Sequence, residues 1–159
     1  MRKIFLYLLI VSVIYSCHLN KGVSGFFPVE IDCLGVELDG SQTFLSTGEG
    51  RNRIDALEQA KKNAVNAVLF SGFVGNNRGC SVRPLILEID GRLKNETYFN
   101  AFFKDDGEYL KYVLLDDEKI RLKIFRRRQR GRLQVKVSSV VRVDVVNLKK
   151  ELIKENIIK

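Results

Sequence analysis

The sequence contains no tryptophan, only two prolines and a single histidine among its 159 residues. It has no low-complexity tract, and no internal repeat recurs at the period of a solenoid. After Leu19, no apolar run reaches the ~20 residues that a membrane-spanning helix needs. The scarcity of histidine and of cysteine, of which there are three, matters most for function, because zinc sites and nucleophile–base pairs are commonly built from these residues.

The few residues that could support catalysis are poorly placed for it. His18 lies in a tether, where a general base cannot be held in position. Cys33 and Cys80 are 47 positions apart, and without a histidine in the core they make a poor zinc site. Asp32 and the acidic run 116–118 leave a paired-carboxylate hydrolase as a third functional hypothesis. We therefore expect a protein that is not an enzyme and that has no metal and no cofactor.

The N-terminal segment has the pattern of a secretory signal peptide. Two cations, Arg2 and Lys3, precede the apolar run 4–15. Ser16 and Cys17 follow, and a small residue directly before a cysteine resembles the lipobox of bacterial lipoproteins. In those proteins the thiol is lipidated, with palmitate among its acyl chains, and the cysteine becomes the first residue of the mature chain. An ordinary cleaved signal and a short transmembrane anchor are the alternatives, although the run is too short to span a bilayer.

Lipidation at Cys17 would fix the location of the chain and narrow the classes of partner it can meet. We expect residues 1–16 to be removed as the signal peptide, 17–28 to form a lipidated tether and 29–159 to form a single α+β domain. Removal of two cations lowers the formal net charge from +8 to +6. His18 follows the cysteine where an aspartate would resemble an inner-membrane retention signal, so the expected site is the periplasmic face of the outer membrane. The partners would be the membrane, through the N-terminal lipid, and an envelope protein or anionic envelope polymer, but no nucleic acid.

The remaining two cysteines, Cys33 and Cys80, form an even pair outside the cytosol, where disulfides persist. A bridge between them would close a loop of about 47 residues and contribute about 3–4 kcal/mol in the chain-entropy model. The alternative is two unpaired thiols, because a sequence does not show whether the two Cα atoms come within reach.

Period-two alternation predicts strands at 29–33 and 41–47, joined by a turn at Asp39-Gly40. Between them and the C-terminal third, a helix is predicted to begin near Asn52. Its apolar residues recur at spacings of three and four, and four alanines keep it thin enough to lie close on a sheet. We expect a turn that needs glycine at 48–50, where the second strand ends.

The segment 95–104 is predicted to form a second helix, whose four aromatic residues favour a core wedge over a ligand cage. Two long amphipathic strands and a terminal helix from about Asn147 complete the chain. The order of elements predicts an α+β fold, with a mostly antiparallel sheet, a long helix packed on one face, a long C-terminal β-hairpin and a terminal helix.

The C-terminal hairpin is strongly basic, with nine cations and no acidic residue from Lys119 to Lys136. Because crowding of like charges is unfavourable, an anionic surface or partner would relieve the repulsion. The alternative is a solvated strand face whose cations guard an edge against aggregation. The candidate docking residues, with the arginines of 126–130 expected in the turn, are Arg126, Arg127, Arg128, Arg130, Arg132 and Lys136.

A glycine pair before an alanine-rich helix, and a final Val-x-Val strand entering a Leu-x-x-x-Leu helix, resemble a family of small envelope domains. The family includes the N-terminal domain of the flagellar-assembly protein FlgT and related small outer-membrane lipoproteins. The resemblance covers 29–158 and implies a non-enzymatic assembly or docking role. The residues that carry it are Gly48, Gly50, Ala56, Ala60, Ala64, Ala67, Val141, Val143, Val145, Leu148 and Leu152.

The leading functional hypothesis is therefore a lipid-anchored interaction module in the cell envelope. The second is an accessory lipoprotein of a dedicated secretion or export machine, such as a type VI or curli-like exporter. A stable ring or a co-purifying complex would favour the second hypothesis, whereas a monomer that binds only lipid or glycan would count against it.

Overall fold

A computed structural model describes residues 31–72, 83–115, 123–129 and 132–159. The expected signal peptide and tether lie outside these residues, as do Cys17, Cys80 and Arg130. The described part is a five-stranded sheet with helices packed against one face. The strands are β1 (Ile31–Val36), β2 (Gln42–Gly50), β3 (Val113–Leu115), β4 (Lys123–Gln129) and β5 (Arg132–Val143); the helices are α1 (Arg53–Asn66), α2 (Gly91–Lys94), α3 (Glu96–Phe102) and α4 (Val145–Lys154). A π-helical turn (Ala67–Ser71) follows α1, and a 3₁₀ turn (Glu108–Tyr112) precedes β3.

The longest strand, β5, organises the sheet. Its whole second half and part of its first half pair with β2 along one edge, from Val143 opposite Gln42 to Val135 opposite Gly50. The other edge is shared by β3 near the C-terminal end of β5 and by β4 near its N-terminal end. β1 lies outside β2, and every pairing is antiparallel. These observations confirm the predicted α+β fold and its long C-terminal hairpin.

The core lies between the sheet and the helices. In the register of β2 and β5, strand alternation places Phe44, Val137, Val141 and Val143 on one face of the sheet, and all four are fully buried. Leu148 and Leu152, one turn apart on α4, are buried in the same cluster. The predicted apolar stripe of the terminal helix is therefore what holds it to the sheet.

The close packing of α1 on the sheet depends on glycine in β2. A Cβ added at Gly48 would lie 2.1 Å from the Ala56 carbonyl oxygen and 2.4 Å from the Ala60 nitrogen, and one at Gly50 would lie 2.5 Å from the Ala56 nitrogen. The expectation of a turn at 48–50 was wrong, because these residues continue β2 to Gly50. They are needed as glycine because the backbones of a strand and a helix meet there, not because of an unusual φ angle.

The turn predicted at Asp39-Gly40 is confirmed. The Gly40 amide donates to the Glu37 carbonyl oxygen at 3.0 Å, and Gly40 has a φ of 81°, which favours glycine. The Ser41 hydroxyl donates to the Asp39 carboxylate at 2.6 Å and tightens the same turn. α1 also begins as predicted, since the Asn52 side chain accepts a hydrogen bond from the Asp55 amide at 2.9 Å.

The aromatic residues of α3 belong to the core. Phe99, Phe102 and Phe103 are each at most 2% exposed, and Phe102 meets Phe103 edge to face with ring centroids 5.0 Å apart. Tyr109 of the 3₁₀ turn stacks on Phe103 at 6.0 Å. The cluster fills the space beside α1, as expected for a wedge of the core.

Candidate functional site

The C-terminal hairpin, formed by β4 and β5, extends at its turn end past the last residue of β2. β2 ends at Gly50, which pairs with Val135. Within the described part of the chain, the residues of β5 before Val135 pair with β4 alone, so this part of the hairpin is a two-stranded ribbon. We call it the basic arm and define it as residues 126–129 of β4 and 132–135 of β5. Three of its four residue pairs lie beyond the pair of Gly50 and Val135, a length of about 10 Å.

The basic arm contains most of the predicted docking residues. The expectation that Arg126, Arg127 and Arg128 lie in the turn was wrong, because all three are part of β4, opposite Val135, Gln134 and Leu133. The β4–β5 ladder continues to the pair of Gln129 and Arg132, the last described residue of β4 and the first of β5. The β-propensity of the alternating residues on either side of the three arginines outweighs the repulsion between their like charges. The described arm has four cations and no acidic residue.

The remaining predicted residues lie beside the arm or outside the described chain. Lys136 is partly buried in β5 and pairs in register with Glu49 of β2. Arg130 falls between the two described strands, outside both. At the same end of the sheet, Arg51 and Arg53 are exposed where β2 passes into α1. Arg51 forms an ion pair with the Asp55 carboxylate at 3.0 Å, so only part of this added charge is uncompensated within α1.

The opposite end of the sheet carries acidic groups. Glu37 and Asp39 lie at the β1–β2 turn, and the Glu37 carboxylate accepts a hydrogen bond from the Thr43 hydroxyl at 2.9 Å. Hydrogen bonds from Ser41, and then the nearby Arg142 guanidinium, lower the pKa of Asp39 below its ordinary value. Asp39 is therefore ionised across the neutral range. The sheet has a basic end at the arm and an acidic turn at the other end.

Cys33 lies in β1 and is disulfide-bonded. Its predicted partner, Cys80, is outside the described residues, and so is the remaining cysteine, Cys17. The Cys33–Cys80 pairing itself stays a prediction.

A cluster of charged side chains joins α1 to the segment between α3 and β3, and the sequence did not reveal it. The Lys62 side chain is 5% exposed and its Nζ lies 2.6 Å from the Asp105 carboxylate, which is 60% exposed. The same Nζ lies 5.6 Å from the centre of the Tyr109 ring. Tyr109 in turn donates from its hydroxyl to Glu58. The Glu58 carboxylate also contacts the Lys61 Nζ, at 3.0 Å.

This cluster is suited to holding two elements together. Each of its charges has a partner of opposite sign or a hydrogen-bond donor, which is the arrangement that buried charges require. Asn63 adds a further tie, since its amide donates to the Thr47 carbonyl oxygen at 2.9 Å. The only sequence signal was the Asp105-Asp106-Gly107 turn after the aromatic helix, and helical spacing alone could not show that Lys62 reaches it.

Two further searches concern the described residues alone. In 31–72, 83–115, 123–129 and 132–159, no group of three or more histidine, cysteine, aspartate or glutamate side chains could hold a metal ion. Among the helices in those ranges, none combines the length and apolar character that crossing a membrane requires.

Comparison with known proteins found no significant match to a family model, to a curated protein or to a solved structure.

Proposed function

We propose that this chain is a lipid-anchored, non-enzymatic interaction module at the periplasmic face of the outer membrane, and that its basic arm docks an anionic surface or partner. The observation that carries the proposal is the projection of the arm beyond the sheet. Among the described strands, none besides β4 pairs with β5 before Val135, and an isolated two-stranded hairpin is at best marginally stable in water. The arm itself contains four cations and no acidic residue, a composition suited to attracting anions.

The anchoring part of the proposal rests on the N-terminal sequence, where Cys17 follows a short apolar run and Ser16. The test is metabolic labelling of bacteria with an alkyne fatty acid, followed by capture of the chain. We expect label on the wild type and on the neighbouring control His18→Ala, and none on Cys17→Ala. Label that persists on Cys17→Ala would overturn the lipid anchor.

Disulfide mapping tests the same proposal by an independent route. Peptides released from the non-reduced protein should show Cys33 linked to Cys80, which leaves the Cys17 thiol for lipid. A link between Cys33 and Cys17 would contradict lipidation, because one sulfur cannot carry both groups.

The docking part is tested by charge reversal at two positions of the arm. We expect Arg126→Glu/Arg128→Glu to lose envelope partners in a pull-down from intact envelopes. The matched control is Lys149→Glu/Lys150→Glu, which reverses the same number of exposed charges on α4. Equal partner recovery from the two double variants would mean that the arm is a solvated strand pair and not a docking site.

A further inference from the structure

Charged side chains are distributed unevenly between the two ends of the sheet. Exposed cations at Arg51 and Arg53 lie at the arm end of the sheet, while Glu37 and Asp39 lie at the turn between β1 and β2. Ile54, the next residue of α1, is also 78% exposed at the arm end. Ile54 lies between Arg53 and Asp55, and an exposed apolar side chain beside an arginine suits the interface of an anionic bilayer.

The direction of β1 shows at which end of the sheet the N-terminal segment joins the domain. Ile31, the first residue of β1, pairs with Ser46, whereas Val36 pairs with Gln42 at the acidic turn. Since β2 runs on from Ser46 to Gly50 at the base of the arm, Ile31 is the residue of β1 nearest to the arm. The 14 residues from Cys17 to Ile31 can span at most ~50 Å. A lipid on Cys17 is thus connected to the domain at its basic end.

We infer that the anionic ligand of the basic arm is the phospholipid headgroup layer of the membrane that holds the chain. The inference rests on the proposed function, because it takes the lipid anchor at Cys17 as given. It adds an orientation: the arm, Arg51 and Arg53 meet the headgroups, and the acidic β1–β2 turn points away from them.

The register of the arm favours headgroups over a folded acidic protein. Arg126, Arg127 and Arg128 are consecutive in β4, so the cations occupy positions of both parities of the strand. A fixed set of carboxylates on a protein surface would match one parity and leave the other unpaired. Fluid headgroups rearrange around a ribbon, and each cation near an anionic leaflet favours the bound state by about five-fold.

The experiment uses the absence of tryptophan from the sequence. A single reporter is introduced as Gln129→Trp at the end of β4 or, as the control, as Leu38→Trp at the fully exposed β1–β2 turn. The full chain, purified from envelopes with the N-terminus that the cell gives it, is reconstituted into vesicles containing a nitroxide-headgroup lipid. Quenching of the tryptophan is compared with and without phosphatidylglycerol.

We expect Trp quenching in the Gln129→Trp protein when phosphatidylglycerol is present, and little quenching in the Leu38→Trp protein. Adding Arg126→Gln, Arg127→Gln and Arg128→Gln to the arm reporter should lower the ratio of docked to undocked arm by about 100-fold. This loss would show that the arginines, and not the new tryptophan, bring the arm to the surface.

Three results would overturn the inference, and they separate it from the anchoring proposal. If the protein sediments with the vesicles but Gln129→Trp is quenched no more than Leu38→Trp, the anchor stands and the arm does not meet the headgroups. If polyglutamate shifts the emission of the arm reporter and phosphatidylglycerol does not, the ligand is an acidic protein. If neither reporter protein sediments with anionic vesicles, both the anchor and the headgroup contact fail.

Discussion

The two ends of β5 differ more from one another than any two elements of the chain. Near its C-terminal end, Val137, Val141 and Val143 are fully buried under helices, and β2 and β3 flank the strand on both sides. Near its N-terminal end, Arg132 and Gln134 belong to a ribbon that pairs only with β4. One continuous strand thus serves the core at one end and, at the other, carries the arm for which we propose a docking role. Substitutions should therefore affect stability at the first end and recognition at the second.

The largest effect should come from Gly48→Ala. The new Cβ would lie 2.1 Å from the Ala56 carbonyl oxygen, and neither a strand nor a helix backbone can move aside cheaply. We expect a loss of at least about 3 kcal/mol in the free energy of unfolding, measured by urea denaturation. Gly35→Ala is the matched control, because nothing lies within 4 Å of its Cβ position. Equal stabilities of the two variants would refute the close approach of α1 to β2.

A second large effect is expected at the aromatic wedge. Phe102 is 2% exposed and contacts both Phe103 and Tyr112 through its ring. Phe102→Ala should lower the free energy of unfolding by about 3–5 kcal/mol, since it leaves a cavity in the core. Leu93→Ala, at a residue that is 71% exposed, should change it by no more than about 0.5 kcal/mol. A small effect at Phe102 would mean that the aromatic cluster is not part of the cooperative core.

An intermediate effect, dependent on pH, is expected at Tyr98. Its hydroxyl is buried without a hydrogen-bond partner, and burial, then the negative charge of Glu151, raises its pKa above the ordinary tyrosine value. The raised pKa means that the folded state favours the neutral phenol. The stabilisation of the folded state that comes from a neutral Tyr98 is therefore complete below pH ~10, and it is lost as the pH rises above the pKa that Tyr98 has in the unfolded state.

Tyr98→Phe should consequently unfold less readily than the wild type above pH ~10, and no more readily at neutral pH, where it removes an unsatisfied polar atom. Thermal unfolding followed by circular dichroism across this range measures the difference. Parallel alkaline profiles for the two proteins would show that Tyr98 ionises as easily in the folded state as in the unfolded one.

The parts of the fold that follow from local periodicity were predictable from the sequence. The start of α1 at its Asn52 cap, the Asp39-Gly40 turn and the apolar stripe of α4 each depend on residues a few positions apart. The burial of Lys62 was not predictable, because its partner Asp105 lies 43 positions away. Helical spacing assigned that side chain to solvent, and the packing of the turn before β3 against α1 decided otherwise.

The candidate site shows the same division. Composition identified the cations of the C-terminal hairpin, but it placed Arg126, Arg127 and Arg128 in a turn. The three consecutive arginines do not interrupt the strand, because the ladder with β5 continues through them to Gln129. What turns a basic hairpin into a projecting arm is the early end of β2 at Gly50. That is a property of strand lengths across the sheet, which no local pattern of charges encodes.

The smallest effect on stability is expected from substitutions in the arm itself, and the sign of the change in the free energy of unfolding tests whether the two ends of β5 differ in role. Arg126→Gln/Arg127→Gln/Arg128→Gln removes like charges from a ribbon outside the core, so we expect the free energy of unfolding to change by less than about 1 kcal/mol, and in the stabilising direction at low salt. Added salt should raise the stability of the wild type more than that of the variant, because it screens a repulsion that only the wild type has. Urea titrations at two ionic strengths measure both quantities. A destabilising triple substitution with no dependence on salt would mean that the arginines support the fold, and the division of β5 into a structural end and a binding end would then be wrong.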